Sequence, residues 1–245
     1  MSDKMKFAIK HIKKWTKDNK LVIDAKKCTI DITEVTNENL EIELNGSNIT
    51  FNSNLKVKSI VSNAMNTTIN GSDDNDNITV NGMNTTVNAN NGDDTINSFA
   101  MNVNINGGAG NDTINASGVN VTINGDSGND KISASGMNIT IDGGLGSDDL
   151  KGQGADIIIK SNEGQNNISG AGSNITVDAN KNDNTIKLEG KDTEIIGDEV
   201  SEVSETNKAD ETDKANENAG SITNTEEPVI NNENNLFFSL LATKM

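Results

Sequence analysis

Apolar residues in this chain are sparse, but they keep a beat. From residue 71 to 196 an isolated aliphatic returns every 18 residues: Ile78, Ile96, Ile114, Ile132, Leu150, Ile168 and Ile186. A second series does the same: Val87, Ile105, Ile123, Ile141, Ile159, Val177 and Ile195. Two positions ahead of it run Thr85, Val103, Val121, Ile139, Ile157, Ile175 and Thr193. Within each repeat the alternation is that of short strands, with polar residues between. A period held over seven copies predicts a solenoid. Each 18-residue coil would hold two parallel strands and two turns, with three side chains pointing inward.

The flanks differ. Residues 21–70 alternate apolar and polar at Leu21–Asp24, Cys28–Ile32 and Leu40–Leu44, which predicts transitional strands and the first coils. Residues 1–20 place Met5, Ala8, Ile9, Ile12 and Trp15 on one helical face among lysines. That pattern predicts a short amphipathic helix capping the first coil; a helix for a membrane surface or a partner has the same pattern. Residues 197–245 are acidic and poor in apolar residues until Leu236–Ala242, which predicts a disordered tail with an apolar end. The fold class expected is all-β.

Composition sharpens this. Aromatics are 2% and hydrophobic residues 32%, too few for a broad globular core. Net charge is −17, against nucleic acid and in favour of cations. Residues 1–27 hold nine Lys against three acids, and the tail from 197 holds eleven acids against three Lys. The single Cys28 excludes an internal disulfide. No apolar run is long enough to span a bilayer. The N-terminus lacks the apolar core of a signal peptide, so an exported chain would use a leaderless route. Nucleophile–base pairs are missing, which argues against an enzyme. The many Asn-x-Ser/Thr triplets follow from the repeat rather than from glycosylation. The outward Thr column is broken at Asn104, Ile158 and Glu194, which argues against an ice-binding face.

The candidate chemistry lies in one turn of each coil. Asp76, Asp94, Asp112, Asp130 and Asp148 fall in register. Coils stack about 4.8 Å apart. Adjacent carboxylates would repel by roughly 1 kcal/mol with water-like screening and by more when buried. A hard dication relieves such a column. Ca²⁺ accepts six to eight oxygens, including backbone carbonyls, and Mg²⁺ fits glycine-rich turns less well. The array offers no His or Cys for zinc. Lys58, one period before Asp76, could act as a built-in cation or simply face solvent.

Two of these turns, GGAGNDTIN at 107–115 and GGLGSDDLK at 143–151, resemble the nonapeptide of RTX (repeats-in-toxin, haemolysin-type) calcium-binding proteins. GDSGNDKIS at 125–133 departs only at Asp126. The resemblance implies a right-handed parallel β-roll. It implies Ca²⁺ between successive turns, held by Asp76, Asp94, Asp112, Asp130 and Asp148. The glycines of the matching turns, Gly107, Gly108, Gly110, Gly125, Gly128, Gly143, Gly144 and Gly146, would supply carbonyls. It also implies folding on calcium outside the cell, at a bacterial surface or after type I secretion, with a cell-surface or secretion-apparatus partner.

The other turn of each coil departs from that family. It carries Gly or Ala and then Asn: Gly82/Asn84, Ala100/Asn102, Gly118/Asn120, Gly136/Asn138 and Gly172/Asn174. Stacked amides can bond to one another. The expectation is a one-sided roll, with metal on one turn column and an amide ladder on the other. Asn166 and Asn184 replace the aspartate in the last two coils, where calcium should fade. The rival expectation is a structural or adhesive solenoid in which calcium is incidental; a fragment of a toxin that lost its effector domain is a third.

Overall fold

The computed structural model describes residues 5–8, 19–32, 39–179, 184–196 and 200–206. All regular structure in them is β. The strands are β1 (Met5–Ala8), β2 (Lys20–Ala25), β3 (Cys28–Ile32), β4 (Glu41–Ser53), β5 (Ser59–Ser62), β6 (Met65–Asn70), β7 (Asn77–Val80) and β8 (Thr85–Asn91). They continue with β9 (Thr95–Ser98), β10 (Val103–Ala109), β11 (Thr113–Ser127), β12 (Lys131–Asp142), β13 (Asp149–Lys160), β14 (Asn167–Asp178), β15 (Asn184–Ile196) and β16 (Val200–Thr206).

Every pairing is parallel, and through the array the register advances by one repeat: Ile78 pairs Ile96, Ile96 pairs Ile114, and Ile123 pairs Ile141. The result is a β-solenoid of about nine turns. β4 runs unbroken through the neutral corner, and the coils after it, up to β10, use two separate strands, such as β7 and β8. From β11 onward one strand runs through the neutral corner unbroken. The first steps are longer, since Met5 pairs Cys28 and Cys28 pairs Ile49. The last is shorter, with a register shift where β15 meets β16.

The core is a narrow column of stacked aliphatics. Ile114, Val121 and Ile123 of one coil sit on Ile132, Ile139 and Ile141 of the next, all nearly or fully buried. A fourth inward position escaped the sequence reading: Ser62, Val80, Ser98, Ala116, Ala134, Gly152, Gly170 and Leu188. Its mixed residues carry no hydrophobic signal. It stays small where its neighbours are large: a Cβ on Gly152 would press on Ile157 of the opposite wall, and one on Gly170 on Leu188 of the next coil and then on Ile175.

Two expectations are corrected, and one left open between two readings is decided. The N-terminal helix is not found. Met5–Ala8 forms β1 and pairs with Cys28–Asp31 of β3. An open parallel edge offers this segment backbone partners that outweigh its helical pattern; the remainder of 1–18 lies outside the described residues. The stretch from 197 is not wholly irregular, since Val200–Thr206 adds β16 to the roll; residues 207–245, with the apolar end, lie outside the described residues. Of the two readings of Lys58, the solvent-facing one holds, and it does not enter the aspartate column. Its ammonium lies 2.5 Å from Glu41 on the surface. Among the described residues no helix is long and apolar enough to cross a membrane.

Candidate metal column and amide ladders

The glycine-rich turn hands each aspartate inward. In GGAGND, Gly108 and Gly110 take φ of 108° and 136°, a region costly for residues with a Cβ. The turns that depart in sequence take the same path with tolerant residues: Asn90 has φ 80° and Asp126 φ 72°. The first glycine has a different role. A Cβ on Gly107, Gly125 or Gly143 would collide with Oδ2 of Asp112, Asp130 or Asp148. Those glycines are empty space that the carboxylate fills.

Asp76, Asp94, Asp112, Asp130 and Asp148 are each at most 3% exposed. They stack as the register requires, and each reaches back one coil. Asp94 Oδ1 accepts the Asp76 N–H at 2.6 Å. Asp112, Asp130 and Asp148 do the same for the residue before them in the column, each at 2.8 Å. Asp76, at the head, instead accepts the Ser72 N–H at 2.7 Å and the Ser72 hydroxyl.

Each carboxyl then has one oxygen left over. Asp76 Oδ1 and the Oδ2 atoms of Asp94, Asp112, Asp130 and Asp148 are buried with no hydrogen-bond partner. A buried unpaired acceptor costs about 1–3 kcal/mol, more if charged. Burial accordingly drives these acids up, to about 8 for Asp94, about 7 for Asp130 and about 6 for Asp112. Asp76 and Asp148 are also raised, again chiefly by burial. Burial thus penalises the bare charge of each carboxylate, a penalty that a proton or a cation relieves.

The last coils show what the spare oxygen faces. Asn166 Oδ1 accepts the Asp148 N–H at 2.7 Å, as an aspartate would. Its Nδ2 donates to the carbonyls of Ser161 and Gly164, both at 3.2 Å. One, two and three periods earlier those carbonyls belong to Gly143 and Gly146, Gly125 and Gly128, and Gly107 and Gly110. The amide donates where the carboxylates have nothing to donate. An all-oxygen setting of that kind suits a hard cation. Among the described residues no three acid, His or Cys side chains converge on a point. An ion in this column would therefore need oxygens beyond the carboxylates, and the turn carbonyls are at hand.

The opposite corner is neutral. Asn66 donates to Asn48, Asn84 to Asn66, Asn102 to Asn84, Asn120 to Asn102 and Asn138 to Asn120, at 2.7–3.2 Å. Asn174 repeats this against Asp156, at 2.7 Å. Each of these residues has φ between 52° and 58°, which Asn and Asp tolerate best among residues with a side chain. The expected ladder is present. Two shorter ones were missed: Asn52–Asn70–Asn88 and Asn45–Asn63–Asn81. Asn at one-period spacing before residue 71 was the available signal.

No family model matches the chain, and neither a curated protein nor a solved structure does.

Proposed function

We propose that this protein is an RTX-type calcium-binding β-roll that folds when it meets calcium outside the cell and has no catalytic role. The observation that carries the reading is the column of five buried carboxyls, each with one oxygen lacking a partner. Ca²⁺ would be held in the four gaps between Asp76, Asp94, Asp112, Asp130 and Asp148. The carbonyls of glycines such as Gly107, Gly110, Gly125, Gly128, Gly143 and Gly146 would complete its oxygen shell. The ion supplies the positive charge the column lacks. The chain's own residues supply the rest: glycines that leave room for the carboxylates, and N–H groups that fix one oxygen of each.

The right hand of the coil and a leaderless, type I route of export belong to the same proposal. Extracellular calcium modules bind at about 10⁻⁴–10⁻³ M. Such a site would be empty in a calcium-poor cytosol and filled outside, which makes binding and folding one event. Calorimetric titration tests it. Stoichiometry near four ions supports the one-sided roll. A value near eight refutes the one-sidedness, and no binding refutes the calcium reading.

A second reading, a structural or adhesive surface solenoid, is favoured by one observation. The amide ladder already links Asn48 to Asn66, in coils that carry no aspartate in the metal turn. On that reading calcium is incidental and a chelator leaves the β-signal unchanged.

A further inference from the structure

Four of the seven methionines occupy one column. Met65, Met83, Met101 and Met137 recur at the repeat spacing, each immediately before an asparagine of the ladder. They are not core. Their exposures are 46%, 37%, 45% and 51%, and they make up four of the nine exposed large apolar side chains among the described residues. Their backbones are pinned coil to coil. The Asn66 N–H donates to the Met83 carbonyl at 3.0 Å, and the Asn84 N–H to the Met101 carbonyl at 3.1 Å. The ladder bonds Asn84 to Asn66 and Asn102 to Asn84 fix the same three coils from the next residue.

We propose that Met65, Met83 and Met101 form a thioether site for one soft monovalent cation, Cu(I) or its analogue Ag(I). Thioethers are soft ligands that select Cu(I) and ignore hard ions such as Ca²⁺. The coil spacing of about 4.8 Å is a little above the separation of two sulfurs in a three-coordinate site, about 4.0 Å at a metal–sulfur bond of about 2.3 Å as in zinc sites. Three rotatable bonds let the outer sulfurs swing toward Met83. The chain's net charge of −17 attracts cations in general. A protein partner fits less well. Even with Phe99, exposed two residues before Met101, the stripe is narrow and about 19 Å long, well short of the roughly 800 Å² per partner of a stable interface.

The column contains its own control. Met137 is flanked in register by Val119 and Ala155, so it has no sulfur neighbour. The hard oxygen column lies at the other turn of the coil, so this proposal stands or falls apart from the calcium reading.

The test is NMR of the full chain carrying ¹³C-methyl methionine, with calcium present and silver nitrate added in chloride-free buffer. Methyl signals report each methionine separately, so silver taken by the buried thiol of Cys28 does not imitate the result. The Met65, Met83 and Met101 methyls are expected to shift together while Met137 stays. Met83→Leu, a surface change of similar volume, should weaken the response at Met65 and Met101 by at least about tenfold. Met137→Leu should leave it unchanged. No shift at all, a parallel shift at Met137, or an unaltered response in Met83→Leu overturns the proposal.

Discussion

Asp112→Asn is the most informative single change in the aspartate column. Asp112 stands in its middle. Its Oδ1 accepts the Asp94 N–H at 2.8 Å, and its Oδ2 is buried without a partner. The chain already displays the proposed replacement three coils on. Asn166 keeps the backbone bond and gives its amide hydrogens to two turn carbonyls. Asp112→Asn would do likewise toward Gly107 and Gly110 without changing shape. In calcium-free protein at pH 8 it removes an unpaired buried acceptor and adds hydrogen bonds. A gain of about 1–3 kcal/mol is expected. With calcium the sign changes, because Asp112 borders two of the four proposed gaps and both lose a carboxylate. Urea melts followed by circular dichroism, in chelator and in millimolar calcium, read both effects. A variant no more stable than wild type in chelator would refute the reasoning about the spare oxygen. An unchanged ion count would refute the assignment of Asp112 to the metal column.

Two further outcomes follow from the same geometry. Burial holds Asp94, Asp130 and Asp112 at about 8, 7 and 6, above the ordinary carboxylate value near 4 that an unfolded chain has. The folded chain therefore keeps more protons between about pH 4 and 8, so its calcium-free stability is greatest below that window and falls as pH rises through it. Urea midpoints in chelator at pH 5 and pH 8.5 check this; a higher midpoint at pH 8.5 contradicts it. On the other corner, Asn102→Ala removes two ladder bonds of 2.8 Å and puts Ala at φ 55°, for an expected loss of about 1–3 kcal/mol with calcium stoichiometry unchanged. Asn102→Gly relieves the backbone strain but not the lost bonds, so a full recovery of the urea midpoint in that variant would refute the ladder's contribution.

The repeat makes much of this legible in the sequence alone. A strict period places residues in register, and in a parallel stack register alone brings Asp94 beside Asp112 and Asn84 beside Asn102. What stayed hidden has physical reasons. The fourth inward column mixes Ser, Val, Ala, Gly and Leu, because its size is set by the facing wall rather than by hydrophobicity. Met5–Ala8 reads as part of a helix, yet the open edge at β3 offers a parallel strand for it to join. Lys58 has the right phase for the aspartate column, but Glu41 on the adjacent coil draws its ammonium outward. At the site, the aspartate positions could be read from sequence. The division of labour between their two oxygens could not, since it depends on which backbone N–H lies one coil back.

The central claim is that calcium supplies what the aspartate column lacks and so drives the fold. Far-ultraviolet circular dichroism of the full chain at pH 8, first in chelator and then through a calcium titration, tests it most directly. The expected result is a partial β-signal with a low urea midpoint without calcium, and a cooperative rise to a full β-spectrum in the range of about 10⁻⁴–10⁻³ M. A full β-spectrum in chelator that calcium does not change would contradict it.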